Sequence, residues 1–396
     1  MDMDDDRQLY AAEIKELLHE SLSRKIKGEF SAHSDDPVFI TRESYPMFTK
    51  IDNLPLYPKY IPELILSWAK LDTVQNFVPE DILVLDLETT GLGRGQTVAI
   101  MIGLGYYQDG EFFVEQIFLP DPDAEEHSFD RLRQLCESRC LLITFNGKSF
   151  DVPVLESRLL YHQIWLNLRQ MQHLDLLHIA RRLWKRKLPS CALETIEYYV
   201  LGHIRDQELD MAGGDIPQTY FHYLTTGETE LIKRIFVHNH HDILHTAALF
   251  TLICDSCKYP PESGLDPRID YHALARLYLS QKQPEMAKRI LLDMLSQTLV
   301  IPEALYELGT IFKREKDMEQ ALATYQIGAE LQHPPSMLET AKILERQKDF
   351  AQALTLSQRI LSLEQGRYMQ NSRLLSELQK RINRLQKKLE KQVMEK

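Results

Sequence analysis

Cysteine is scarce in this chain. The 396 residues hold five, at positions 136, 140, 191, 254 and 257, an odd number without framework spacing. That excludes a disulfide-stapled scaffold and fits a reducing compartment. Cys254-Asp-Ser-Cys257 is a lone CxxC with no second pair at zinc spacing, so it reads as two helix-borne thiols rather than a zinc or redox site. No apolar run approaches the roughly 20 residues of a membrane span. The acidic start Met1-Asp-Met-Asp-Asp-Asp6 lacks the basic and apolar segments of a signal peptide. A cytoplasmic protein without membrane contact is the expectation. Positive charge is also in deficit: 46 Lys and Arg face 58 Asp and Glu, a net charge of −12. This argues against a general nucleic-acid coat, but not against an enzyme whose acidic ligands are neutralised by metal. There is no HExxH, and Gly103-Leu-Gly105 lacks the third glycine of a dinucleotide loop.

What is present divides the chain into three stretches. Residues 1–78 open with a helical pattern from Tyr10. A stretch punctuated by Pro37, Pro46, Pro55, Pro58 and Pro62 follows, and it carries no readable chemistry. Residues 79–258 begin with strand-like runs at 82–89, 97–107 and 110–119, the last two separated by the hairpin signal Asp109-Gly110. A helix around 124–138, a strand 141–145, a helix 151–163 and an apolar segment 173–178 follow. That order predicts an α/β domain with a mixed sheet. Residues 267–396 read as wholly helical and repetitive. Ala275, Gly309 and Ala341 align, as do Gln283, Asp317 and Asp349, and Ala287, Ala321 and Ala353. A period near 34 is that of tetratricopeptide repeats, with an unrelated helical bundle as the alternative. The tail carries Leu378, Ile382, Leu385 and Leu389 at helical spacing, which suits a capping helix. A coiled-coil or nucleic-acid contact is the other reading of that tail.

The chemistry concentrates in four acids. Asp86 and Glu88 end the apolar run Ile82–Leu85 and stand two apart on a strand, hence on one face. Neighbouring buried carboxylates repel, so they call for a cation or a proton. Asp151 follows strand 141–145 at a helix start, where it serves either as a cap or as a ligand. His238 and Asp242 are four apart on one helix face. An imidazole beside a metal-bound carboxylate can orient or deprotonate a water. A zinc site, a surface patch and partial burial compete as readings of the histidines.

Taken together, Asp86-x-Glu88, Asn146-x-x-x-Phe150-Asp151 and His238-x-x-x-Asp242 resemble the DEDD exonuclease superfamily of ribonuclease H-like folds. More narrowly, Leu-Glu-Thr-Thr-Gly-Leu92, Phe145-Asn-Gly-Lys-Ser-Phe-Asp151, Leu174-Asp-Leu-Leu-His178, Asp215 to Gly227 and His238-Asn-x-x-Asp242 resemble the YprB-type domain over residues 80–255. The resemblance implies an α/β ribonuclease H-like domain followed by a tetratricopeptide-like solenoid. It implies a nuclease acting 3′ to 5′, with Asp86, Glu88, Asp151 and Asp242 as metal ligands. Relatives place a tyrosine four residues, or a histidine five residues, before the last acid; here His238 stands four before it.

Four hard oxygen donors suit two Mg²⁺ or Mn²⁺ ions, about 3.5–4 Å apart, acting on a phosphodiester. Asp86 would bridge the ions and His238 position the nucleophile. Thr89, Thr90 and Gly91 form the turn beside them, where they meet the terminal nucleotide or simply end the strand. Asn146 lies in the second motif, and Lys148 is a phosphate contact or a solvated loop lysine. Arg181-Arg182-Leu-Trp184-Lys185-Arg-Lys187 follows a phosphate backbone with Trp184 stacking on a base, or is a cationic helix end. Asp175 reads as a structural hydrogen-bonding residue. The alternative to a nuclease is a non-catalytic scaffold binding a protein partner through its repeats. A zinc hydrolase is disfavoured because the close acid pair lies on a strand.

Overall fold

The computed structural model describes residues 19–31, 37–73, 76–91, 97–166, 168–258, 265–366 and 372–394. The helix expected from Tyr10 and the Leu92 of the first motif lie outside them. The chain divides into two compact units, Met1–Asp270 and Tyr271–Lys396.

The first unit is built on a mixed sheet. Its strands are β1 (Glu29–Phe30), β2 (Phe39–Pro46), β5 (Ile82–Thr89), β6 (Ala99–Gln108), β7 (Glu111–Phe118), β8 (Leu141–Thr144) and β9 (Gln172–Asp175). Between β2 and β5 the short strands β3 (Lys50–Ile51) and β4 (Leu54–Pro55) make a separate hairpin. The seven-stranded order is β1-β2-β7-β6-β5-β8-β9. β5, β6 and β7 form an antiparallel meander, and β8 and β9 extend it in parallel from β5. Asp109 and Gly110 turn β6 into β7 with φ of 51° and 78°. Both angles lie in the left-handed region that a two-residue hairpin turn requires.

β5 is apolar almost throughout because both of its faces are covered. Leu83, Leu85 and Leu87 pack with Phe129, Leu132 and Leu155, which come from the helices Glu125–Ser138 and Asp151–Tyr161. The even-numbered residues face the long helix Ile232–Ser256. On that face β6 presents Gly103 and Gly105. A Cβ at Gly105 would lie 2.7 Å from the Phe112 ring and 2.8 Å from Ile243, and one at Gly103 would meet Asn239. The glycines therefore let the helix backbone approach the sheet; they have nothing to do with a dinucleotide.

The stretch that the sequence leaves unread contributes to this same unit. β2 pairs along its whole length with β7, from Phe39 opposite Phe118 to Pro46 opposite Glu111. The prolines bracket the strand instead of breaking it. Among the described residues β1 pairs only with Ile40 and Phe39, so Pro46 ends a strand on an open edge where its missing N–H costs little. The apolar segment 173–178 proves to be two elements, β9 and the helix Leu176–Trp184. They are divided at Asp175, whose side chain accepts from the Leu177 N–H.

The second unit is helical: Tyr271–Ser280, Pro284–Ser296, Pro302–Arg314, Met318–Glu330, Pro334–Arg346, Phe350–Gln365 and Ser372–Met394. The structure repeats with the sequence. Lys282, Lys316 and Lys348 take φ of 59°, 68° and 66° at equivalent turns. Asp317 and Asp349 then cap the next helix by accepting from the Gln320 and Gln352 N–H groups, each at 3.1 Å, whereas Gln283 makes no side-chain cap. Ala287, Ala321 and Ala353 are fully buried, and Gly309 lies against the Tyr325 ring. Leu378, Ile382 and Leu385 of the last helix are buried, and Arg381, Arg384 and Lys388 of the same helix pair with Glu345.

Gly105→Ala is expected to destabilise the fold by about 1–3 kcal/mol through overpacking under Ile243. Gly214→Ala, where an added Cβ meets open space, should change stability by no more than about 0.5 kcal/mol. Urea unfolding of both variants checks the pair, and equal effects would mean that the helix does not press on β6.

Candidate active site

Asp86 and Glu88 project from β5 towards the helix Ile232–Ser256, which supplies His238, Asn239 and Asp242. Asp151 enters from the first turn of Asp151–Tyr161, and its Oδ1 accepts the Leu87 N–H at 3.0 Å. The four acids act on one another electrostatically. Burial first, then the charges of Asp242, Glu88 and Asp151, hold the Asp86 carboxyl well above its ordinary range. Burial pushes Glu88 up to about 8; His238 works against that shift, and Asp242 and Asp151 add to it. Asp151 rises to about 7, chiefly by burial, with backbone hydrogen bonds opposing and Asp175 and Asp242 reinforcing.

Little in the protein compensates this charge. Asn239 Nδ2 donates to Asp86 Oδ2 at 3.0 Å. Glu88, only 7% exposed, has no hydrogen bond or ion pair among the described residues. Asn239 is itself fully buried and is held by a polar row across the sheet. Thr41 Oγ1 donates to Gln116 Oε1 at 3.0 Å, and Gln116 Nε2 donates to Asn239 Oδ1 at 3.0 Å and to the Phe236 carbonyl at 2.8 Å. Thr41, Gln116, Gly103 and Asp86 are successive register partners on β2, β7, β6 and β5.

The other side of the site is rich in counter-charge. Arg205 pairs with Asp242, donates to both oxygens of Glu197 at 2.6 Å, and lies 3.3 Å from Asp210. His238 Nδ1 is 2.8 Å from Asp210 Oδ1, and its Nε2 is 3.8 Å from Asp242 Oδ2. Its pKa is raised to about 9: burial opposes the charged form, but the Asp210 hydrogen bond and the Asp242 and Glu88 charges outweigh it. The Asp210 contact holds the ring through Nδ1, which also lies 3.0 Å from Arg205 Nη1, and leaves Nε2 on the Asp242 side, where it could orient a water. Arg205, Asp210 and Asn239 were not singled out by the sequence reading. Asn239 alone had a signal there, inside the His-Asn-x-x-Asp wording; the other two come from an irregular segment without pattern. His238 and Asp242 open onto a cavity of about 450 Å³, shared with Arg205 and the 211–213 segment.

The donor chemistry fits hard divalent cations: three under-compensated carboxylates and a fourth nearby. Asp242 is meanwhile drawn to Arg205. Among the described residues, the group of three metal-ligating side chains with atoms all within 4.8 Å is a different one: Asp52, His203 and His245.

Thr89 Oγ1 donates to the Gly91 carbonyl at 2.8 Å, and Thr90 Oγ1 accepts the Val98 N–H at 3.0 Å, so both hydroxyls close the strand end. Asn146 and Lys148 are exposed, and their backbone N–H groups are held by Asp175 at 2.9 and 3.1 Å. Lys148 lines a cavity of about 530 Å³ with Arg181, Arg182, Lys185 and Trp68. Trp184 cannot stack on a base: it is 1% exposed, and its indole N–H donates to the Arg268 carbonyl at 2.9 Å. On this helix the indole lies on the apolar face. The aromatic at the basic cavity is instead Trp68, whose ring centroid lies 6.0 Å from the Arg182 guanidinium. Cys254 and Cys257 are buried; burial holds the Cys254 thiol well above its ordinary value and pushes Cys257 up to about 12. Neither is a thiolate at neutral pH.

Residues 83–254 match the RNase_H superfamily. The protein YprB of Bacillus subtilis (strain 168), itself uncharacterized, is 29% identical over 305 residues, covering 73% of this chain and 72% of its own length. A solved family B DNA polymerase from Pyrobaculum calidifontis aligns with 61% of this chain and 30% of its own, at a TM-score of 0.37 and 10% identity, a likeness too loose to inform function. No helix among the described residues is long and apolar enough to cross a membrane.

The shifts above fix a sign for the protein freed of divalent ions. Glu88 binds protons more tightly folded than unfolded between about pH 4.5 and 8, Asp151 between about 4 and 7, and His238 between about 6.5 and 9. In each case folding is favoured at the acid end and loses stability as pH rises. Thermal unfolding in EDTA should therefore show Tm falling from pH 5 to pH 8.5, with a smaller slope for Asp86→Asn. A Tm that rises or stays flat for the parent would show these groups to be ordinary.

Proposed function

We propose that this chain, whose residues 83–254 form an RNase_H superfamily domain, is a nuclease that hydrolyses phosphodiester bonds of nucleic acid with two Mg²⁺ or Mn²⁺ ions, removing nucleotides from 3′ ends. The observation that carries the reading is the cluster of Asp86, Glu88 and Asp151, buried together with pKa values that stay raised although His238 and Arg205 pull Glu88 down. Such an arrangement costs stability unless a cation compensates it. With Asp242 they would hold the ions, which when bound polarise the phosphate and supply a nucleophilic water.

The chain's own residues set the geometry. Asn239 fixes Asp86 Oδ2, and the Leu87 N–H fixes Asp151 Oδ1. His238, anchored through Nδ1 on Asp210, keeps Nε2 on the Asp242 side, where it orients the attacking water and balances developing negative charge. Arg205 holds Asp242 until the site is loaded. Lys148, Arg181, Arg182 and Lys185 give the phosphate backbone a track, with Trp68 as a stacking platform. In this reading the catalytic domain spans residues 79–258, and the tetratricopeptide-like helices from 267 recruit a protein partner.

One observation favours the second reading, a non-catalytic scaffold: a guanidinium already neutralises Asp242. Cleavage assays separate the two. End-labelled single- and double-stranded DNA and RNA should be shortened with Mg²⁺ or Mn²⁺, and no hydrolysis of any of them would support the scaffold. Asp86→Ala and Asp242→Ala should each lower kcat more than a hundredfold while remaining folded. Activity within about tenfold of the parent, roughly 1.4 kcal/mol of barrier, would remove that residue from the ligand set. Arg182→Glu combined with Lys185→Glu should raise KM several-fold and flatten its salt dependence by about one unit of slope per lost phosphate contact. An unchanged KM would place the substrate elsewhere.

A further inference from the structure

We propose that Asp52, His203 and His245 form a second divalent metal site, of the zinc type, separate from the acidic cluster. Two imidazole nitrogens converge on one carboxylate oxygen: His203 Nδ1 lies 3.0 Å and His245 Nε2 3.2 Å from Asp52 Oδ2. Ligands on a tetrahedral zinc with bonds of about 2.0–2.1 Å stand roughly 3.3–3.4 Å apart. The two carboxylate–imidazole separations need to widen by only a few tenths of an ångström to admit an ion, and all three donors lie within 4.8 Å of one another.

Hydrogen bonding alone serves these atoms poorly. The other nitrogen of His245, Nδ1, is 2.8 Å from Glu197 Oε1. Glu197 is an ionised carboxylate: burial raises its pKa, but its hydrogen bonds with His245 and Arg205 bring it down to about 2. His245 therefore donates through Nδ1, and a neutral ring would point its Nε2 lone pair straight at the Asp52 carboxylate. The His245 ring is 1% exposed, and its centroid lies 4.2 Å from that of the His203 ring. A dication between them would satisfy both nitrogens and the carboxylate at once. A histidine ligand whose second nitrogen is held by a carboxylate is the usual orienting device at metal sites.

The site is also held rigidly before any ion arrives. Asp52 sits in the two-residue turn between β3 and β4, with φ of 50° followed by 68° at Asn53. Thr251 Oγ1 and Tyr107 Oη both donate to the Leu56 carbonyl just beyond that hairpin. His203 follows the π-turn Glu197–Leu201 and is tied back by its N–H to the Glu197 carbonyl at 2.9 Å. Asp52 and His203 remain 27% and 19% exposed at their side chains, leaving room for a water as fourth ligand. Three protein donors with two imidazoles and one carboxylate suit a borderline transition-metal ion better than Mg²⁺ or Ca²⁺. The ion would staple the β3–β4 hairpin and the π-turn to the long helix.

Full-length protein purified without chelator, its affinity tag removed, should carry about one equivalent of zinc or another first-row dication by elemental analysis. Asp86→Asn should carry the same amount, whereas Asp52→Ala and His203→Ala should carry less than a tenth of it. After removal of the metal, Co²⁺ should give the intense visible absorption of a four-coordinate ion in the parent and in Asp86→Asn, but not in Asp52→Ala. Zn²⁺ should raise the Tm of the stripped parent by several degrees and leave that of Asp52→Ala unmoved. If the stripped parent binds neither ion more tightly than Asp52→Ala, the site is a hydrogen-bonded cluster and the proposal falls. Cobalt absorption lost in Asp86→Asn instead would also overturn it, by placing the ion in the acidic cluster. None of these readouts depends on nuclease activity, so failure of the nuclease reading leaves the test intact. Should His203→Ala not fold, Asp52→Ala and the parent spectrum decide.

Discussion

The acidic cluster exists because the helix Ile232–Ser256 can lie almost on the backbone of β6. Gly103 and Gly105 are two apart on a strand, a rise of about 6.8 Å. Asn239 and Ile243, the residues over them, are four apart on the helix, a rise of about 6.0 Å. One helical turn is thus commensurate with one strand repeat, and each glycine receives one side chain. The close approach puts Asn239 over Gly103, whose register partner on β5 is Asp86. Helical periodicity then places His238, Asp242 and His245, and Asp210, Arg205 and Glu197 hold their side chains. A polar Asn on this buried face is tolerated because Gln116 and Asp86 satisfy its amide.

Charge is distributed unevenly around that contact. Arg205 serves Glu197, Asp210 and Asp242 together, and His238 leans on Asp210. Asp86, Glu88 and Asp151 share no such partner. One flank of the site is neutralised by the chain, and on the other the carboxylates stay mutually repelling despite the Asn239 and Leu87 hydrogen bonds and the His238 and Arg205 charges. The basic cavity at Lys148, Arg181, Arg182 and Lys185 is connected to the anionic flank through Asp175, which grips the 146–148 backbone and repels Asp151. A chain with a net charge of −12 thereby presents a cationic cavity beside its acidic cluster.

Strict periodicity was the readable part of the sequence. The shared face of Asp86 and Glu88 follows from strand parity, the β6–β7 turn from Asp109-Gly110, and the alignment of Ala287, Ala321 and Ala353 from repetition. Each is a local rule, and the fold obeys it. The unreadable part depends on tertiary context. Arg205 and Asp210 lie in an irregular segment whose composition says nothing of where it docks. β2 alternates weakly and is bracketed by prolines, so only its pairing with β7 reveals it. The basic run 181–187 was ambiguous for a physical reason: an amphipathic helix carries both an outward cationic face and an inward aromatic one. Trp184 took the inward place, while Trp68, more than a hundred residues earlier, supplied the half-buried ring at the cavity.

Glu197 is where the two sites meet. Its Oε1 accepts from His245 Nδ1 and from Arg205 Nη2, and its Oε2 accepts from Arg205 Nε. Arg205 in turn reaches Asp242. A carboxylate shared by two donors weakens its bond to each as the other strengthens, since one negative charge is divided between them. A dication held by Asp52, His203 and His245 would leave the His245 Nδ1–H donating to Glu197, so that this carboxylate would remain the common acceptor of His245 and Arg205. The π-turn that begins at Glu197 puts its backbone carbonyl and its carboxylate at the service of both clusters. π-Turns recur at functional positions in helices, and here the turn begins at the residue that both clusters share.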